Sequence, residues 1–220
     1  MVLVIGLVVF FTVRTLRQTD AGTVAANDEG AARVVGGIGP APGADVPTYT
    51  KDRKKALADA TGDRFAVVSL KEYTTEGQAR ALVGATEVVA LLAAAPGGQP
   101  SVVTGDLAAW VDAQTAQSRA ERDEIQRLIP TVQDDPGFEE FYRSEVERLD
   151  KVVRSIRPDG DLVFGAVVRA PAGALQELGR KPEVRLVDVS EGPDRAPKPD
   201  YRGLRPEETS RANDPNTRPA

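Results

Sequence analysis

From residue 161 to 189 the chain reads DLVFGAVVRAPAGALQELGRKPEVRLVDV, and its apolar positions change period twice. Leu162, Phe164, Ala166 and Val168 alternate with Val163, Gly165, Val167 and Arg169, the two-residue period of a strand. Pro171 suits the first turn of a helix, where a missing N–H costs nothing, and Ala174, Leu175 and Leu178 follow at helical spacing. Gly179 is placed to close that helix in a left-handed conformation, and Pro182 forbids its continuation. Val184, Leu186 and Val189 restart an extended pattern. The stretch predicts strand, helix, strand, a unit too small to bury its sheet face without partner strands.

A similar unit lies upstream. Residues 65–70 (FAVVSL) are apolar and β-branched, as a strand requires. Thr75 and Gln78 have capping-box spacing for a helix carrying Ala79, Leu82 and Val83, with Gly84 placed to end it. Residues 87–95 (EVVALLAAA) give a second strand, although their Leu-Leu-Ala-Ala-Ala end suits a helix equally well. Two right-handed units of this kind interleave into a four-stranded antiparallel sheet with both helices on one face. The expected fold class is α+β, a ferredoxin-like βαββαβ sandwich over residues 63–192.

Residues 97–160 separate the two units. Thr104 or Asp106 can cap a helix running through Trp110 to about Ile129, ended by Pro130. Asp135 and Pro136 supply an N-cap and an N1 proline for a second helix. Its apolar positions are Phe138, Phe141, Tyr142, Val146, Leu149, Val152, Val153 and Ile156, a 3.6-residue stripe. The insertion therefore predicts an antiparallel helical hairpin, and a specific function is expected to use it, because it is what the basic fold lacks.

Toward the N-terminus, residues 1–13 (MVLVIGLVVFFTV) form an uncharged apolar run closed by Arg14 and Arg17. Thirteen helical residues reach roughly 20 Å, short of the ~30 Å hydrocarbon core, and snorkelling of Arg14 extends the run to Leu16. The expectation is a single-pass membrane helix within residues 1–19, touching lipid through residues 1–16 and lacking part of its start. A buried hydrophobic terminus is the alternative. The glycines and prolines of residues 20–47 read as a spacer, and residues 20–62 as a flexible linker with a basic lead-in at residues 51–55. Arg14 and Arg17 after the run would by themselves hold the body in the cytoplasm. So long a spacer is more usual for surface proteins, however, and the expectation is a body on the outer side of the cytoplasmic membrane. Residues 193–220 carry many charges and prolines with no apolar period, and are expected to be a disordered tail.

Composition changes the picture by exclusion. The chain has no His and no Cys. That removes Ser-His-Asp and Cys-His nucleophilic sites, the usual zinc sets, thiolate ligands and disulfides. A net charge of −5 gives no general attraction to nucleic acid. No cofactor, metal or catalytic residue is expected; a carboxylate-dependent enzyme is the remaining catalytic possibility. Asp134, Asp135, Glu139 and Glu140 lack EF-hand spacing and suit the helix dipole instead. Arg143, Glu145, Glu147 and Arg148 have the spacing of surface ion pairs. Trp110, Phe138, Phe141 and Tyr142 hold four of the eleven aromatics, either as core or as an exposed partner surface.

Within residues 161–192 the chain also resembles the second half of the subtilisin-propeptide (peptidase-inhibitor) family. There a strand of the form GFAA.L leads to a helix ending L...P.V and a strand V..V. The matching positions are Gly165, Ala166, Leu175, Leu178, Pro182, Val184 and Val187. The resemblance implies the ferredoxin-like fold, and an inhibitor contact at Ser190, Glu191 and Gly192, which follow the last strand. The family joins its halves by a short turn where this chain has residues 97–160. The leading functional expectation is a non-enzymatic, membrane-anchored binding or assembly protein of the bacterial cell envelope, able to self-associate. Free-standing protease inhibition through the segment after Val189 is the alternative.

Overall fold

The computed structural model of the protein describes residues 37–95, 98–132, 134–191 and 200–212. Five strands form one sheet: β1 (Asp63–Thr74), β2 (Glu87–Ala93), β3 (Ser101–Val103), β4 (Val163–Pro171) and β5 (Val184–Val189). Their spatial order is β3-β2-β4-β1-β5, and every neighbouring pair is antiparallel. At the centre Val67 stands opposite Val167 on one side and Asp188 on the other. The fold class is α+β.

Both expected strand-helix-strand units are present. The helix α2 (Glu76–Val83) links β1 to β2, with the Thr75 hydroxyl accepting from the Gln78 N–H and the Gln78 side chain accepting from the Thr75 N–H. In the second unit α5 (Ala172–Gly179) links β4 to β5. Pro171 is the N-cap of α5 rather than its first helical residue. Gly179 is its last helical residue and is not among the glycines with positive φ. A Cβ there would lie 3.0 Å from Leu57 Cδ2, so close packing rather than a left-handed turn accounts for it.

The sheet has two covered faces. On the first, Ala66, Val68, Leu91, Ala166, Val168 and Val187 meet Ala79 and Val83 of α2 and Leu175 and Leu178 of α5. Each fully buried Leu or Val of this kind contributes about 1.5–3 kcal/mol relative to exposure. The second face, with Val67, Leu92, Phe164 and Val167, is covered by Ile38 and Tyr201. That cover is the main departure from the sequence reading. The span expected to be linker contains the helix α1 (Val46–Ala58), started by Asp45, whose carboxylate accepts from the Thr48 N–H at 2.9 Å, with Pro47 in the first turn. In the span expected to be tail, residues 200–212 pack across the sheet, with Leu204, Glu208 and Ala212 fully buried.

The insertion holds more than the expected hairpin. After β2, which ends at Ala93 with no helical turn, the short β3 adds a fifth strand at the sheet edge. Asp106, not Thr104, caps α3 (Leu107–Leu128) by accepting from Ala108 N–H. A 3₁₀ turn (Ile129–Thr131) leads to α4 (Pro136–Ser155), where the Asp135 carboxylate accepts from Gly137 and Phe138 N–H. The two helices pair through Ile125, Leu149 and their neighbours, and Arg122 bridges to Asp150 at 3.0 Å. Their root enters the first-face core through Leu107, Val111, Val152 and Ile156. The apolar run of residues 1–16 lies outside the described residues; among the described residues no helix is long and apolar enough to cross a membrane.

Candidate functional site

The expected aromatic surface divides in two. Trp110 lies one turn into α3 at the hairpin root, partly buried against the first-face core. Phe138, Phe141 and Tyr142 lie in the first two turns of α4, at the opposite end of the hairpin. With 1.5 Å of rise per residue, that separation along the hairpin is roughly 25–30 Å. Trp110 therefore belongs to the core, and the other three form a cluster of their own. Ring centroids are 6.5 Å apart for Phe138 and Tyr142 and 5.7 Å for Phe141 and Tyr142.

The cluster is uncovered. Phe138 is 46% exposed and Phe141 59%, the two highest values among the large exposed hydrophobics, and Leu128 beside them at the tip is 38% exposed. The cause is geometric. Phe138, Tyr142, Leu149, Val152 and Ile156 share one face of α4 at three- and four-residue steps. At the root that face meets the sheet core through Val152 and Ile156, and one turn further out Leu149 is buried within the hairpin. The hairpin meets the sheet at its root, and at the tip the same stripe lies beyond the sheet, with Phe138 exposed and Tyr142 partly so.

Five charged residues around the tip already have partners within the helix. Glu139 pairs with Arg143 and Glu145 with Arg148, each at 2.6 Å, and Asp135 is the helix cap. The hydrogen bonds it donates to Glu145 raise the Arg148 guanidinium above its ordinary value, against the opposing effect of burial. Shallow grooves beside the hairpin, about 360 and 400 Å³, are lined by Arg143, Glu147 and other polar side chains. Among the described residues no group of acidic side chains has the arrangement of a metal site.

The segment after β5 is partly in place. The Ser190 N–H donates to the Phe65 carbonyl at 2.9 Å, extending the β1–β5 pairing, while Glu191 is exposed. Gly192 lies outside the described residues.

Sequence reasoning missed the second polar constellation, which fastens residues 200–212 to the sheet. Ser69, buried in β1, accepts from the Leu204 N–H at 2.9 Å. From β5, Arg185 donates to the carbonyls of Arg205 and Glu208. Tyr73 donates to the Glu207 carboxylate at 3.2 Å. Within the segment, Arg205 Nε reaches Glu208 Oε1 at 3.2 Å and its N–H reaches Oε2 at 2.9 Å. Nearby, Tyr49 of α1 donates to buried Asp188. Burial pulls the Arg185 guanidinium below its ordinary value, countered by the carboxylates of Glu208 and Glu207. Burial first, and then the Glu207 charge, hold the Tyr73 phenol far above its ordinary value. The available signal was weak: Tyr201, Gly203 and Leu204 interrupt an otherwise polar, proline-rich run.

In comparisons with protein-family models, curated proteins and solved structures, nothing matches this chain.

Proposed function

We propose that this protein is a non-enzymatic binding or assembly protein of the bacterial cell envelope, and that the α3–α4 hairpin is its binding arm. The observation that carries the reading is the exposed cluster of Phe138 and Phe141 against Tyr142 at the end of a hairpin whose root is fixed in the core. Aromatic side chains held on a rigid element lose little entropy when a partner covers them, and they supply much of the energy at protein interfaces. The strand order, set aside β3, is the order of a ferredoxin-like sandwich, and we take the domain to be one with a fifth strand and a helical arm. In this reading residues 1–16 hold the protein to the membrane with the body on the outer side. The lead-in from that anchor reaches the sheet on its second face through Ile38, whereas the hairpin roots on the first.

Protease inhibition through Ser190, Glu191 and Gly192 rests on the propeptide resemblance alone, and the bond from Ser190 to Phe65 ties the start of that segment into the sheet. The deciding experiment is site-specific photocrosslinking in cells from position 141, with position 119 on α3 as control. Discrete adducts from 141 that vanish with Phe138→Ser are expected. Their absence, or equal adducts from both positions, would remove the hairpin as the binding arm.

A further inference from the structure

The segment 200–212 has the physical character of a bound ligand. Its sequence, DYRGLRPEETSRA, carries six charged residues, Asp200, Arg202, Arg205, Glu207, Glu208 and Arg211, against the apolar anchors Tyr201, Leu204 and Ala212. Such a stretch is soluble in water by itself. It joins the rest of the chain by isolated bridges, Ile38 with Tyr201 and Asp45 with Arg211, instead of a continuous ladder. Its fully buried Glu208 is met by Arg205 of the same segment, so the segment brings much of its own charge compensation into the site. Buried charges demand such pairing.

The receiving surface reads the segment's backbone, both before and within the turn that the Glu208 N–H closes onto the Arg205 carbonyl at 3.1 Å. Ser69 accepts the Leu204 N–H, and Arg185 donates to two carbonyls three residues apart, those of Arg205 and Glu208. Tyr73 adds a side-chain contact to Glu207. Between the anchors the segment presses onto the sheet at Gly203, where a Cβ would lie 2.6 Å from Leu92 Cδ1 and 3.1 Å from Phe164 Cε2. Backbone contacts that give affinity, combined with pockets for a few side chains, are how proteins recognise extended peptides.

We propose that the second face of the sheet is a peptide-recognition site, filled here by the chain's own residues 200–212 and able to take the same segment from a second copy. This proposal stands apart from the hairpin and does not depend on it. Exchange of one segment between two copies would pair them without any new contact chemistry.

The test uses the folded full chain in mild detergent, with a specific protease site introduced at residues 194–197 and cleaved after folding. The C-terminal fragment is expected to stay with the body through size exclusion. A labelled synthetic peptide of residues 200–212 should then displace it. The same peptide carrying Gly203→Val should compete roughly tenfold less well or worse, because overpacking by one side chain costs about 1–3 kcal/mol. Placing the change in the peptide leaves folding of the body untouched. A Phe141→Ser body should exchange like the unaltered one, which separates this proposal from the binding-arm reading. Loss of the fragment without rebinding while the body keeps its circular dichroism would overturn it. So would a fragment that exchanges only when denaturant unfolds the body, or a Gly203→Val peptide that competes equally.

Discussion

The backbone N–H of Leu204 donates to the hydroxyl of Ser69 at 2.9 Å across the second face of the sheet. Both groups are buried, so neither has water as a substitute. Ser69→Ala leaves the N–H unpaired and is expected to cost about 1–3 kcal/mol. A lowered urea midpoint with an unchanged slope would show it. An unchanged midpoint would mean that this bond does not help hold the segment.

Gly39 should tolerate no side chain. Its φ is +135°, and a Cβ would fall 2.1 Å from the carbonyl oxygen of Arg202, a backbone atom with little freedom to retreat. Gly39→Ala combines strain with collision and is expected to cost about 3 kcal/mol or more. Gly43→Ala, with φ of +79° and open space around the Cβ, should cost only about 1 kcal/mol. Hydrogen exchange at Arg202, whose N–H donates to Ile38 at 2.9 Å, gives a local readout. Equal effects of the two substitutions would contradict the close approach.

Along α4, one helix face should respond in two ways. Leu149→Ala removes a side chain that is 2% exposed and should destabilise by about 2–5 kcal/mol. Phe141→Ser, at a position 59% exposed, should change stability by about 0.5 kcal/mol or less. Thermal denaturation of both variants tests the contrast. A large loss in Phe141→Ser would show that the tip is covered within the protein itself.

Stability should fall at high pH, partly through Tyr73. Its folded pKa is raised above the ordinary 10.0, chiefly by burial and then by the Glu207 charge. Above pH 10 the unfolded phenol therefore loses its proton while the folded one keeps it, so the folded state binds more protons. By linkage stability is fully present below the unfolded pKa and declines as pH rises through that window toward the folded value. Tyr73→Phe removes the titrating group, and its denaturant midpoint should decline less between pH 10 and 12 than that of the unaltered chain. Parallel declines would exclude Tyr73 from the effect.

Periodicity along the chain was sufficient for the elements whose cause is local. Thr75 with Gln78 and Asp135 with Pro136 set helix starts through bonds spanning three residues or fewer. Alternation at 162–168 set a strand, and the stripe from Phe138 to Ile156 set α4 together with its apolar face. Whether that face is covered was not a local matter. Val152 and Phe138 lie on the same stripe, and only the position of the sheet beneath the hairpin root makes one core and the other surface.

The tertiary structure decided the rest for the same reason. The three residues of β3 are too few to show a period, and they become a strand because β2 offers them an edge. Gly179 is small because Leu57, distant in sequence, packs against it. Glycine, proline and charge at 37–45 and 200–212 look alike in a linker and in a close-packed segment. Gly39 against Arg202, and Gly203 against Leu92 and Phe164, need glycine because another part of the chain comes within contact distance. Sequence determined the two strand-helix-strand units and the hairpin, since neighbours a few residues apart fix them. The cover of the second face was settled only in three dimensions, by hydrogen bonds such as Ser69 to Leu204 that join residues far apart in the chain.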